Sequence, residues 1–114
     1  MNDLGRLIYS VKLFKTTTCI IILYSMTKTI HFIVSGRVQG VFFRMKTRQQ
    51  AELYGISGWV RNLPDGRVEG VASASESSLD DFTQWLRQGP EMAKVSKVEC
   101  KELAAQGFTG FTVR

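Results

Sequence analysis

The stretch TIHFIVSGRVQGVFFRMKTRQQAELYG, Thr29 to Gly55, changes its hydrophobic period once, and that change decides the fold. Up to Ser35 the period is two. Ile30, Phe32 and Val34 alternate with Thr29, His31 and Ser35, the pattern of a half-buried strand. From Phe43 onward the period is helical, with Phe43, Thr47, Ala51 and Tyr54 recurring on one face before Gly55 supplies a stop. Between the two lies GRVQGVFFR, Gly36 to Arg44. Gly36 and Gly40 remove side chains where the main chain must curl, so that consecutive N–H groups can converge on one anion. Arg44 stands where the helix begins and offers a planar fork of donors that matches phosphate oxygens two at a time. A strand, a glycine loop and a helix N-terminus in that order predict a site for a phosphate-like dianion. Taken alone, the same run also reads as an ordinary glycine-containing connection with Arg44 a solvated side chain; its flanks favour the anion site. It is not a P-loop, because no Gly-Lys-Ser/Thr follows, and its glycine spacing is wrong for a dinucleotide fingerprint.

Working outward, Ile56–Leu63 reads as a second strand, Pro64-Asp65-Gly66 as a tight turn, and Arg67–Ala74 as the hairpin partner. Val68, Gly70, Ala72 and Ala74 share a face whose small residues predict a helix packed closely on it. Ser75 to Ser78 offer helix caps, Asp80 and Asp81 are expected in the first turn, and Leu79, Phe82 and Leu86 recur at helical spacing until Gly89-Pro90. Val95–Leu103 and Phe108–Arg114 are the remaining strands, the latter with Phe111 and Val113 on one face. The order strand, helix, strand, strand, helix, strand, followed by a short last strand, predicts an α+β, ferredoxin-like two-layer sandwich (βαββαβ), an antiparallel sheet with two helices on one face. The other sheet face is expected to be exposed and to carry Thr29, His31 and Arg61.

The 114 residues make one domain, and 44% apolar residues suffice to fold it without disulfides. A net charge of +5 points to an anionic partner, and its even spread points to a small anion more than to a polyanion track. Cys19 and Cys100 have no ligand-spaced neighbour and His31 is the one histidine, so no metal site is expected; two reduced thiols in a cytoplasmic protein are the default. Residues 1–25 read differently from the rest. Arg6, Lys12 and Lys15 precede the apolar run Cys19–Tyr24, which is too short for a signal h-region or a bilayer span. The domain proper is expected over 26–114, and three readings stand for 1–25: an upstream start codon's artefact, a flexible arm, or a degenerate targeting segment.

Asn62, at the end of the second strand, is either a turn residue bonding its own backbone or, facing the glycine loop, a carboxamide that holds a water beside a caged phosphorus. Here two long runs carry a family resemblance. Val34–Arg44 (VSGRVQGVFFR) and Gly58–Val68 (GWVRNLPDGRV) resemble the two signature motifs of acylphosphatases, and the resemblance extends over residues 28 to 114. It implies a ferredoxin-like fold and hydrolysis of carboxyl-phosphate anhydrides to a carboxylate and phosphate. By the same resemblance, the substrate-binding loop is Gly36, Arg37, Val38, Gln39, Gly40, Val41, Phe42 and Phe43, and the catalytic pair is Arg44 and Asn62. A glycine frequent at the close of the second motif is Ala74 here, and residues 1–25 have no counterpart in the usual short acylphosphatase.

The inventory suits that chemistry. The leaving carboxylate has a conjugate acid of pKa about 4, like free Asp or Glu, and departs without a proton. No general acid and no metal are then needed, and neither motif contains a plausible acid. Arg44 and the loop amides are expected to hold the phosphoryl oxygens, and Asn62 to orient water in line. The expected partner is a small-molecule acyl phosphate, with no nucleic acid, membrane or cofactor, and the protein is expected to be a monomer. Gln39 is expected to brace the loop, and Trp59 and Trp85 to pack rather than stack bases. The rival readings are an RNA-binding module of the same topology, which wants aromatics in an RNP-type motif, and a silent or carbamoyl-phosphate-handling domain.

Overall fold

Thr27–Arg37 forms the first strand, β1, in the computed structural model of the protein, which describes residues 27–114. The expectations for residues 1–25, and the state of Cys19, lie outside the described residues. Helix α1 follows over Phe43–Leu53, then strands β2 (Ser57–Asn62) and β3 (Val68–Ser75), helix α2 (Glu76–Gln88), and strands β4 (Lys94–Leu103) and β5 (Phe111–Val113). The sheet order is β4-β1-β3-β2-β5. The ferredoxin-like sandwich expected from periodicity is the fold observed. One detail differs: the sheet is mixed, because β5 runs parallel to β2 while every other pairing is antiparallel. The reason is directional. The segment after β4 crosses one end of the sheet to its opposite edge and turns back, so β5 runs opposite to β4 and therefore alongside β2.

The period change in the opening stretch is realised as drawn. Phe32 and Val34 of β1 are fully buried, and α1 turns Phe43, Thr47 and Ala51 inward. Helix α2 buries Leu79, Phe82 and Leu86, and its Ser75 cap accepts a hydrogen bond from the Ser78 N–H at 3.3 Å. The helix begins at Glu76, so Asp80 and Asp81 fall beyond the first turn where they were expected. Rings interlock across the layer: Phe32 meets Phe82 edge-on at 5.6 Å, Phe82 meets Phe111 at 6.2 Å, and Phe43 lies 5.9 Å from Trp85. Gly70 is small for a reason other than helix approach. A Cβ there would stand 2.3 Å from the Phe32 ring on the neighbouring strand. Ala74 continues the ladder opposite Lys28.

The opposite sheet face is only partly open. Thr29, expected at its surface, is fully buried: its hydroxyl pairs with Ser73 Oγ at 2.6 Å and accepts the Gln106 N–H at 2.9 Å, because the β4–β5 connection folds over that end. Beside it, Glu69 joins His31 and Arg61. Its two oxygens lie 2.7 Å from His31 Nε2 and 2.7 Å from Arg61 Nε. Trp59 underlies two cations, Arg114 at 4.2 Å and Arg61 at 5.5 Å from the ring centre.

Glu69 gives the fold an acid sensitivity. The hydrogen bond from His31, and then that from Arg61, hold its carboxyl below the usual carboxylate range against the opposing effect of burial. A depressed folded-state pKa contributes stability that is complete above the unfolded value, about 4.3 for Glu, and is lost as pH falls through the folded value. Glu69→Gln is therefore expected to melt below wild type at pH 7, by about 1 kcal/mol. The gap should begin to close below the unfolded value of about 4.3 and vanish as Glu69 protonates in the folded protein. A gap that did not narrow at all on acidification would place the stabilisation elsewhere.

Candidate active site

At the end of the sheet where β1 runs out, the chain between Arg37 and Phe43 is shaped by left-handed residues. Gly40 has φ 77°, and Phe42, the N-cap of α1, has φ 60° and ψ 24°. A phenylalanine in that conformation is strained, and Phe42 is the one non-glycine residue with positive φ among the described residues. Alternating left- and right-handed residues turn successive main-chain N–H groups toward a common point. Phe42 supplies no side-chain cap, and the first turn of α1 has no acidic residue. The opening amides of α1 are thus left without intrahelical partners at the positive end of the helix dipole. Arg44 adds a full positive charge there.

The loop is tied to the β2–β3 hairpin by one side chain. Gln39 Nε2 donates to the carbonyl oxygens of Leu63 at 2.8 Å and Arg67 at 2.9 Å, while the Leu63 N–H donates to the Arg67 oxygen at 2.8 Å. Gln39 thereby fixes the loop against the residues that follow Asn62. Arg44 is steadied in turn from β5, its Nη1 donating to the main-chain oxygen of Arg114 at 2.8 Å. One of its five N–H donors is so used and four remain.

These elements enclose a hollow of about 290 Å³ lined by Val38, Gln39, Gly40, Phe42, Phe43, Arg44, Met45, Asn62 and Val113. Arg44 and Asn62, two runs apart in sequence, meet in it. Asn62 Oδ1 is buried yet has no hydrogen-bond partner, a costly state unless something enters to use it. None of the lining residues is acidic or a histidine.

Three of the loop residues expected to bind substrate lie outside the hollow's lining: Gly36, Arg37 and Val41. Gly36 is required by the sheet. It sits at the register shift between β1 and β4, where a Cβ would stand 2.1 Å from the Lys94 oxygen. Arg37 is the exposed last residue of β1, and Val41 packs on the core. Sequence reading missed two lining residues, Met45 and Val113. Met45 is one position beyond the motif and was readable from it; Val113 arrives through the parallel pairing of β5, which no local pattern announces.

By its layers and strand order the molecule is a ferredoxin-like sandwich with a hollow at one sheet end. Comparison with known proteins narrows this further. A family model described as Acylphosphatase matches residues 30–113. A protein named acylphosphatase from Rubrobacter xylanophilus is 53% identical over 89 residues, covering 77% of this chain and 81% of that one. An acylphosphatase structure from Coxiella burnetii superposes with a TM-score of 0.77 at 43% identity, over 80% of this chain and 96% of that one. One from Bacillus subtilis gives 0.74 at 34% identity, over 76% and 98%. The chain belongs to the acylphosphatase family, hydrolases acting on acid anhydrides. Among the described residues, no helix is long and apolar enough to cross a membrane.

Proposed function

We propose that this protein hydrolyses acyl phosphates to a carboxylate and inorganic phosphate without a metal, through Arg44 and Asn62. The observation that carries the reading is that Asn62, whose Oδ1 has no partner in the protein, lines the same hollow as Arg44, beside the uncapped start of α1. The phosphoryl group enters the curl of Val38–Phe43 amides, and the free donors of Arg44 take its non-bridging oxygens, charge-assisted bonds worth about 1.5–3 kcal/mol each. Asn62 Oδ1 accepts a hydrogen bond from a water, directing one of its lone pairs at phosphorus on the side opposite the acyl oxygen. The bond from water oxygen to phosphorus forms as the bond from phosphorus to the acyl oxygen breaks. The electron pair of the broken bond leaves with the carboxylate, which needs no proton. The water's proton passes to a phosphoryl oxygen of the substrate, since a carboxamide is no base at neutral pH. Each atom is accounted for by substrate and water alone.

The absence of an acid or histidine from the hollow's lining suits an anhydride and would not suit a phosphate monoester, whose poorer leaving group calls for an acid or a metal. Among the described residues, no cluster of three or more His, Cys, Asp or Glu is placed to hold a metal ion. Phosphate release from benzoyl phosphate, assayed with and without EDTA, is the test. Turnover undiminished by the chelator is expected, with p-nitrophenyl phosphate hydrolysed far more slowly. Loss of activity in EDTA, restored by a divalent cation, would overturn the metal-free mechanism.

A further inference from the structure

The hollow has two chemically different parts. Its inner part holds Arg44, Asn62 and the loop amides. Its rim carries apolar side chains left open to solvent: Phe42 is 70% exposed, Met45 41% and Val113 39%. The described residues include five large exposed hydrophobic side chains, the other two being Leu53 and Met92, so three of the five gather at this mouth. They come from three different places, the loop, the first turn of α1 and β5. Such gathering of exposed apolar groups beside a polar centre marks a ligand surface.

Resting on the reading of the inner part as an acyl-phosphate site, we infer that Phe42, Met45 and Val113 form the subsite for the acyl group and select substrates whose acyl chain is uncharged and apolar. The covalent geometry demands a subsite close by. In an acyl phosphate the carbonyl carbon is two bonds from phosphorus, so the organic chain begins at the rim as soon as the phosphoryl group is seated. The charge inventory then sets its character. Arg44 is the one charged side chain in the lining, and the phosphoryl group engages it. The Gln39 amide nitrogen is already spent on two carbonyls. The remaining Arg44 donors and the Asn62 amide belong to the inner part, so the rim itself offers no second cation or side-chain donor to a carboxylated or phosphorylated acyl chain.

The experiment compares kcat/KM for benzoyl phosphate with that for acetyl phosphate, which has one methyl group to place on the rim. It uses wild type, Met45→Gln, Val113→Thr and the double variant, none of which touches the loop amides. Wild type is expected to prefer benzoyl phosphate, and each variant to narrow that preference, by about tenfold for the double variant. Acetyl phosphate turnover and competitive inhibition by inorganic phosphate should hardly move. If the ratio is unchanged in all three variants, or if both substrates lose equally, the apolar subsite is wrong while the hydrolytic activity stands. If wild type hydrolyses neither substrate, the activity itself is wrong and the subsite falls with it.

Discussion

Replacing Arg44 by alanine is expected to lower kcat/KM for an acyl phosphate by more than about 10³-fold and to abolish competitive inhibition by inorganic phosphate. Both effects have one cause. The guanidinium is the one full positive charge lining the hollow, so ground state and transition state lose the same partner. Arg44→Lys should recover little. A lysine ammonium keeps the charge but lacks the planar fork whose parallel N–H groups meet two phosphoryl oxygens at once. Because Arg44 is only partly buried, melting temperature should change modestly, by the equivalent of about 1 kcal/mol for the lost bond to Arg114. An alanine variant that kept a tenth of wild-type turnover would remove Arg44 from the mechanism.

Asn62→Ala should separate what Arg44→Ala merges. Here kcat is expected to fall by about 10²-fold or more, since an unguided water attacks along many directions, while inorganic phosphate inhibits almost as before. Stability supplies an independent signature. Asn62 Oδ1 has no partner within the protein, so truncating it breaks no hydrogen bond between parts of the fold at that atom. The variant should therefore melt near the wild-type temperature while being catalytically poor. A side chain kept for turn structure would show the reverse, lower stability and intact turnover, and that result would refute the water-positioning role.

Much of this site was legible before the fold. Arg44 and Asn62 could be singled out because each stands at a boundary that local pattern reveals: the onset of helical periodicity at Phe43, and the Pro64-Asp65-Gly66 turn. Buried faces were equally plain in Phe43, Thr47 and Ala51 of α1 and in Leu79, Phe82 and Leu86 of α2. What escaped was whatever depends on residues distant in sequence. Thr29 looks like a surface threonine until Gln106, seventy-seven positions later, covers it. Gly36 looks like part of the cradle, and only the approach of Lys94 shows that it serves the sheet. Val113 belongs to the hollow because β5 lies parallel to β2, a matter of how the chain crosses the sheet end rather than of any alternation within Phe108–Arg114.

The bond between Arg44 and Arg114 spans seventy positions. Contacts of such long range close late, since the entropy of a large loop must be overcome before they reward the chain. A three-residue strand at the sheet edge is also among the pieces that open most readily. On the proposed mechanism Arg44 gains its last support only when that strand has docked, so onset of turnover during refolding is expected to report the final assembly step.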